Sequence, residues 1–245
     1  MSEPQCVTLP DGTQKWLVNG ELHREDGPAL ILANGDQYWH RNGRLHRDAG
    51  PAIVGIDGRQ DWYRDGEVHR EDGPAMVLAD GGQYWYRNGL RHREGGPAIV
   101  NADGTEEWYC NGELHREDGP AIVWTDGSQF WYFNGKLHRD NGPAIIRADG
   151  DQEWHREGEF HRNDGPAIVW DDGSQFWYFN GKLHRDNGPA IIRADGTQKW
   201  YKNGELHRED GPAIVTPDGT GEYWEHDRQI IKNDHTFPGA RIQNL

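Results

Sequence analysis

Cysteine and long apolar runs are scarce in this sequence, and each shortage excludes a class of protein. The two cysteines, Cys6 and Cys110, lie at unrelated places in the pattern described below, so we predict neither a disulfide framework nor a zinc site. No apolar run reaches the roughly 18 residues of a membrane-spanning helix. The first residues also lack the basic start and apolar stretch of a secretion signal, and we therefore expect a cytoplasmic protein with no transmembrane segment.

Basic charge is also in short supply. The chain has 26 Lys and Arg against 41 Asp and Glu, a net charge of −15. Affinity for nucleic acid or an anionic membrane is built mainly from Lys and Arg on one face. We therefore expect no nucleic-acid partner.

Residues that carry nucleophilic or metal chemistry are few. Ser and Thr are scarce, no GxSxG motif occurs, and the Asp-Gly turns lack the acid density of a calcium loop. An active site also needs different residues to converge, whereas this sequence repeats the same ones. We predict no enzymatic activity, no cofactor and no metal site.

A pattern of 23 residues runs along the chain without interruption. His-Arg recurs at this interval from His23 to His207, Gly-Pro-Ala follows each copy, and a tryptophan precedes each copy from Trp16 to Trp200. One repeat reads DGxQxWYxNGxLHRxDGPAIVxx. We number the repeats 1 to 10 by their first residues, which are Asp11, Asn34, Asp57, Asp80, Asp103, Asp126, Asp149, Asp172, Asp195 and Asp218. We predict a single repeat domain over residues 1–245, with ten units spanning about 6–232 and a tail at 233–245.

The repeat is built for short β-strands. In repeat 6, QFWYF (129–133) and AIIR (144–147) are rich in aromatic or β-branched residues, and KLHR lies between them. The Asn-Gly and Asp-Gly pairs suit two-residue hairpin turns, and no window has a helical apolar period. The sequence predicts an all-β protein.

Alternation along the first strand assigns its faces. Gln129 and Trp131 share one face and Phe130 lies on the other. The Gln and Trp positions barely vary between repeats, whereas the Phe130 position is also Lys15 or Asp61. We predict that the tryptophan face forms the core.

The two ends of the chain are complementary in phase. Residues 6–12 (CVTLPDG) align with residues 213–219 (AIVTPDG), and residues 224–232 align with the first two strands of a unit that lacks its last strand. Joining them would complete a tenth unit and remove both sheet edges. We predict a closed, shallow, symmetrical ring of about ten β-hairpin repeats.

Two repeat families share these motifs. The 23-residue period and the YxNG element at 132–135 resemble the MORN class of β-hairpin repeats. The fuller NGxLHRxDGPA signature resembles the β-flower family over about residues 6–232. The β-flower resemblance implies a shallow barrel with hairpins projecting as petals and an unassigned activity. The two resemblances together imply binding, at membranes or to proteins, and supply no reaction.

The nine His-Arg pairs form one candidate site. In a ring they would make circles of side chains able to hold an anion or a sugar acid. The alternative is structural, because an acid follows most pairs and each Arg could bond that acid and the turn carbonyls. The residues are His23, Arg24, His46, Arg47, His69, Arg70, His92, Arg93, His115, Arg116, His138, Arg139, His161, Arg162, His184, Arg185, His207 and Arg208.

A duplicated block supplies the other candidate. Residues 122–150 recur almost unchanged 46 residues later, and both copies place aromatics at positions near hairpin turns that are polar in other repeats. We therefore expect these aromatics to be partly exposed. Exposed aromatic clusters commonly mark binding surfaces, although these rings could instead pair across strands. The candidates are Trp124, Phe130, Phe133, Trp170, Phe176 and Phe179.

From these features we predict a monomeric, non-enzymatic binding module or interaction scaffold with a protein or carbohydrate ligand, contacted through the aromatic petals. The alternative is carbohydrate or small-anion binding through the His-Arg circles. A membrane-associated, MORN-like role fits poorly with the charge of −15.

Overall fold

A computed structural model of the chain describes residues 3–231, and those residues form β-strands and turns with no helix. The predicted all-β architecture of repeated hairpins is therefore confirmed. Contacts divide the chain into two compact units, Met1–Leu137 and His138–Leu245. The prediction of a single domain stays a prediction, and the predicted tail at 233–245 lies outside the described residues.

The described part of the first unit, residues 3–137, contains 23 short strands: β1 (Gln5–Thr8), β2 (Gln14–Val18), β3 (Glu21–Leu22), β4 (Leu30–Ile31), β5 (Gln37–Tyr38), β6 (His40–Arg41), β7 (Arg44–Leu45), β8 (Ile53–Val54), β9 (Gln60–Asp61), β10 (Tyr63–Arg64), β11 (Glu67–Val68), β12 (Met76–Val77), β13 (Gln83–Tyr84), β14 (Tyr86–Arg87), β15 (Leu90–Arg91), β16 (Ile99–Val100), β17 (Glu106–Glu107), β18 (Tyr109–Cys110), β19 (Glu113–Leu114), β20 (Ile122–Val123), β21 (Gln129–Phe130), β22 (Tyr132–Phe133) and β23 (Lys136–Leu137).

The described part of the second unit continues the series: β24 (Ile145–Ile146), β25 (Gln152–Glu153), β26 (His155–Arg156), β27 (Glu159–Phe160), β28 (Ile168–Val169), β29 (Gln175–Phe176), β30 (Tyr178–Phe179), β31 (Lys182–Leu183), β32 (Ile191–Ile192), β33 (Gln198–Lys199), β34 (Tyr201–Lys202), β35 (Glu205–Leu206), β36 (Ile214–Val215), β37 (Gly221–Glu225) and β38 (Arg228–Ile230).

Repeats 2 to 9 each give two strands to a long antiparallel ladder and two to a hairpin beside it, whereas in repeat 1 the single strand β2 takes part in both. In repeat 3, β9 and β12 pair in the ladder, while β10 and β11 form the hairpin. The Trp62 backbone joins the two parts, because its N–H donates to the Ala75 carbonyl at 2.7 Å and its carbonyl accepts from the His69 N–H at 3.1 Å. The tryptophan therefore interrupts the strand and turns the chain from ladder to hairpin.

The ladder runs through successive repeats. In the first unit it follows the order β1-β2-β4-β5-β8-β9-β12-β13-β16-β17-β20-β21. In the second unit it follows β24-β25-β28-β29-β32-β33-β36-β37. All of these strand pairs are antiparallel. The last ladder strand of one repeat pairs with the first ladder strand of the following repeat, as β4 pairs with β5, so successive repeats are hydrogen-bonded to each other.

The hairpins turn at the predicted Asn-Gly pairs. In repeat 6, Asn134 and Gly135 have φ angles of 48° and 73°. Two consecutive positive φ angles are what a type I′ turn requires, and its twist matches that of the flanking strands. The turn prediction is confirmed in this repeat.

The core does not lie on the predicted face. The repeat tryptophans are half-buried, whereas Phe130, Phe176 and Asp61, which occupy the position directly before a tryptophan, are buried. Phe176 packs between Ile168 and Ile191 of the two neighbouring ladder strands. The prediction of a tryptophan core was wrong because the strand is interrupted at the tryptophan, so simple alternation does not continue through it.

The same position reveals a period of two repeats within the 23-residue period. It is charged in odd-numbered repeats and aromatic in even-numbered ones, and this alternation continues through both compact units. From repeat 1 to repeat 9 its residues are Lys15, Tyr38, Asp61, Tyr84, Glu107, Phe130, Glu153, Phe176 and Lys199.

The pairing of the end strands β1 and β37 is relevant to the predicted closed ring. Strand β1 pairs with β2 in the register of an internal ladder strand, with Val7 opposite Lys15 as Leu30 is opposite Tyr38. Strand β1 therefore serves as the last strand of a preceding unit, as the sequence alignment suggested. Strand β37 pairs with β36 and β38. A closed barrel is not detected among residues 3–231.

Candidate functional site

In repeats 1 to 5 and 7 to 9, the arginine of the His-Arg pair lies over the tryptophan of its own repeat. Eight guanidinium carbons stand 3.8 to 4.3 Å from the ring centroid. Nη1 of each arginine donates to the carbonyl of the Gly-Pro-Ala proline, as in Arg185 to Pro189 at 3.1 Å. These contacts are a cation–π interaction and a turn-stabilising hydrogen bond.

The arginines of odd-numbered repeats have a further partner. In those repeats Nε donates to the aspartate two residues later, as in Arg162 to Asp164 at 3.0 Å. This hydrogen bond lowers the pKa of the Asp164 carboxyl. Even-numbered repeats carry Ala49, Gly95, Asn141 or Asn187 at the corresponding position.

In repeats 1 to 8 the histidine of the His-Arg pair links its repeat to the next. Its Nδ1 accepts from the backbone N–H of the first turn residue in the following repeat, as in Asn203 to His184 at 3.1 Å. Eight such bonds have lengths of 3.1 to 3.2 Å. An Nδ1 that accepts a hydrogen bond leaves Nε2 to carry the ring proton, and in repeat 8 Nε2 lies 3.2 Å from the Asp186 carboxylate.

The predicted ligand circle is therefore occupied by internal bonding. Its arginines contact tryptophan rings and turn carbonyls, and its histidines hold the adjacent turn. The side chains left at the surface of this row are the acids, such as Asp164 and Asp186, whose side chains are 85% and 81% exposed.

Two of the six aromatic candidates are not on the surface. Phe130 and Phe176 are buried in the ladder, and each ring lies 4.6 Å from the ring of Trp124 or Trp170, respectively. The expected partial exposure of these two phenylalanines was wrong, because Phe130 lies opposite Ile122 and Phe176 lies opposite Ile168 and Ile191 of adjacent ladder strands.

The other four aromatic candidates are exposed. They are Trp124 (44%), Phe133 (42%), Trp170 (38%) and Phe179 (47%). They divide into two kinds of place, because the tryptophans pack on the ladder while Phe133 and Phe179 lie at the hairpin turns against His115 and His161. Each copy of the duplicated block therefore presents two separate aromatic contacts.

A cleft lies between repeats 7 and 8, wholly inside the second unit. Its volume is about 640 Å³, and Phe179, Trp177, Tyr178 and Pro166 supply its apolar lining. Burial raises the pKa of the Tyr178 hydroxyl. The polar lining consists of Arg162, Asn163, Asp164, Gly165, His184, Arg185, Asp186 and Asn187.

Similar clefts lie between other repeats, with volumes of about 580 to 660 Å³. Where the cleft between repeats 7 and 8 has Phe179, those between repeats 1 and 2 and between repeats 3 and 4 have Arg41 and Arg87. The sequence showed both the aromatic substitution and the acid after the His-Arg pair, but sequence reasoning missed that these two positions lie close together. The signal was an arginine in repeats 2, 3 and 4 becoming a phenylalanine in repeat 8 while the acid of the repeat was retained.

The part of the chain that the structure describes shows neither a metal-binding cluster nor a membrane-spanning helix. No group of three or more His, Cys, Asp or Glu residues is placed to hold a metal ion there. No helix within residues 3–231 is long and apolar enough to cross a membrane.

Comparisons with known proteins add little to this geometry. No family model matches the chain, and no curated protein matches it. Among solved structures, the chain matches the G-box domain of the microcephaly protein CPAP, for which a role in centriole elongation is suggested. The identity is 16%, the match covers 89% of this chain and 95% of that chain, and the TM-score is 0.18. A superposition this poor supports no inference about fold or function.

Proposed function

We propose that the protein is a non-enzymatic binding module that contacts its partner through the exposed aromatics of the duplicated block. The observation that carries this proposal is the exposure of Trp124, Phe133, Trp170 and Phe179 at 38 to 47%. Large apolar side chains exposed in this way are typical of interaction surfaces. Their presence in both copies of the block gives the protein two equivalent sets of contacts.

The His-Arg alternative has less support. An anion or sugar acid needs guanidinium donors that face the ligand, whereas Arg185 stacks on Trp177 and donates to Pro189. The carboxylates that surround these arginines would also repel an anion. We therefore place the binding surface at the aromatics.

The experiment is a microarray of peptides of varied charge and of glycans, probed with the full chain. The matched variant carries Trp124→Ala, Phe133→Ala, Trp170→Ala and Phe179→Ala, and circular dichroism checks that it folds. We expect the wild type to bind at least one class of probe and the variant to lose most of that binding. Equal binding by a folded variant would reject the aromatic surface.

Ring closure remains a hypothesis of this proposal. It is supported by the register of β1, which pairs with β2 as the last strand of a repeat does, whereas the described part of repeat 10, up to residue 231, contains only β37 and β38. In the internal register, closure would set Val7 opposite Glu222.

A further inference from the structure

We infer that the cleft beside Phe179 binds an arginine side chain from a basic, extended segment of a partner protein, an inference that rests on the proposed binding function. Phe179 is the second residue after the tryptophan of its repeat. In repeats 2, 3 and 4 that position is an arginine, and it pairs with the acid that follows His-Arg in the same repeat. The pairs are Arg41 with Asp48, Arg64 with Glu71 at 3.0 Å, and Arg87 with Glu94 at 3.2 Å.

Repeat 8 keeps the acid and loses the arginine. Its acid is Asp186, and Phe179 stands where the arginine would be. Within the described residues, the ion-pair partner of Asp186 is His184, at 3.2 Å. In repeat 3 the corresponding acid, Glu71, contacts both its histidine and its arginine. Repeat 8 therefore has the acid of this ion pair without the arginine, whereas repeat 3 has both.

The Phe179 ring favours a guanidinium as the cation that would pair with Asp186. The Phe179 ring packs 4.9 Å from the His161 ring and is still 47% exposed, so part of its surface faces solvent. A planar guanidinium stacks on an aromatic ring and donates two parallel hydrogen bonds to a carboxylate. An ammonium has neither the plane nor the fork, which favours arginine over lysine at this site.

The cleft's own cations do not fill it. Arg185 lies 3.9 Å above Trp177 and donates to Pro189, and Arg162 likewise stacks on Trp154, at 4.0 Å. Lys182 stands opposite Phe179 in the hairpin, but its stem lies over the Gly204 turn of repeat 9.

The exposed charge of the cleft is therefore negative. Asp164 and Asp186 are 85% and 81% exposed, and the whole chain carries a charge of −15. An acidic field of this kind accelerates the approach of a basic segment. The cleft volume of about 640 Å³ leaves room for a long side chain together with part of its backbone.

The sharpest test supplies the arginine from within the chain. The variant Phe133→Arg plus Phe179→Arg restores at both copies the residue that repeats 2, 3 and 4 carry. We expect it to fold and to exclude the partner's arginine. A matched control, Ile56→Arg plus Leu90→Arg, adds the same charge at two other exposed apolar residues.

The probes are labelled octa-arginine and octa-lysine peptides, titrated by fluorescence anisotropy against the full chain. We expect the wild type to bind octa-arginine more tightly than octa-lysine. The Phe133→Arg plus Phe179→Arg variant should bind octa-arginine roughly tenfold more weakly than the control, a loss of about 1.4 kcal/mol. The variant Asp140→Asn plus Asp186→Asn, which keeps both phenylalanines, should show a similar loss.

Three results would overturn the inference: no preference of the wild type for octa-arginine, equal binding by the arginine variant and its control, or undiminished binding by the asparagine variant. The proposed function fails separately. If the microarray shows a different bound class that the alanine variant loses, the aromatic surface stands and the arginine site falls. If the array shows no bound class that depends on the aromatics, the proposed function falls.

Discussion

Alanine occupies the most confined position of the repeat. The alanine of Gly-Pro-Ala has no exposed surface in any of the nine repeats that carry it, and its carbonyl accepts the tryptophan N–H in most of them. A larger side chain there would have to displace neighbouring backbone or the core. We predict that Ala167→Leu lowers the free energy of unfolding by about 1–3 kcal/mol. Urea denaturation measures this, with the exposed Ala194→Leu as the control; equal stability of the two variants would contradict the tight packing.

Glu153 is a half-buried acid with two basic neighbours. It accepts hydrogen bonds from His155 Nε2 and Arg147 Nη2, each at 3.0 Å. The hydrogen bond from His155 is the largest cause that lowers the pKa of its carboxyl, and Arg147 contributes next. Because the folded-state pKa lies below the ordinary value of 4.5, the stabilisation is fully present above that value and is lost as pH falls through the lowered pKa.

The resulting prediction concerns Glu153→Gln. At pH 7 the variant should unfold with a free energy lower than that of the wild type by roughly 1–3 kcal/mol. The difference should shrink as the solution is acidified below the ordinary pKa. Thermal or urea unfolding at several pH values checks this, with the exposed Glu159→Gln as the control. A difference independent of pH would contradict the charge-based account.

At the scale of elements, the hairpins are held to one another by the histidine bonds. His184 Nδ1 accepts from the Asn203 N–H, whereas His207 at the same position of repeat 9 has no Nδ1 partner within the described residues. Both histidines place Nε2 near an acid, at 3.2 and 3.5 Å. Replacing each by phenylalanine therefore isolates the bond between repeats.

We predict that His184→Phe costs about 1 kcal/mol more stability than His207→Phe, the worth of one hydrogen bond. Denaturant unfolding of the two variants measures the difference. Hydrogen exchange at the Asn203 amide gives the local readout, and it should accelerate only in His184→Phe. Unchanged protection of that amide would show that the bond does not couple the repeats.

The strands and turns also show which features could be predicted from the sequence alone. The period, the strands and the positive φ angles of Asn134 and Gly135 were predictable, because turn chemistry is local. The burial of Phe176 was not, because it depends on which residues of two other strands lie opposite it. The two-repeat alternation could have been predicted from the sequence, because Asp61 and Glu107 in repeats 3 and 5 are both acids whereas Tyr84 in repeat 4 is aromatic.

The placement of Phe179 and Asp186 in one cleft could be found only from the sequence and the structure together. The sequence places the two residues seven positions apart, a spacing that by itself predicts no contact. The ion pairs in repeats 3 and 4 show that these two positions meet across the hairpin and the turn. Because the two positions meet, the replacement of arginine by phenylalanine at the first of them changes the surroundings of the acid at the second.

At the scale of the whole molecule, the ring hypothesis makes one definite prediction. If β1 pairs with β37, cysteines introduced as Val7→Cys and Glu222→Cys, with Cys6→Ser and Cys110→Ser, should form a disulfide within one chain on mild oxidation. Cross-strand neighbours bring their Cβ atoms within the range that a disulfide spans. The matched control pairs Val7→Cys with Glu205→Cys. Non-reducing electrophoresis that shows no faster-migrating monomer would reject closure.

The central claim is that the exposed phenylalanines of the hairpin turns bind arginine side chains of a partner. The most direct measurement is an NMR titration of the full chain, with its six phenylalanine rings labelled, against octa-arginine. The account predicts that the Phe133 and Phe179 resonances shift and saturate while those of the buried Phe130 and Phe176 stay in place. Shifts confined to other phenylalanines, or none at all, would contradict it.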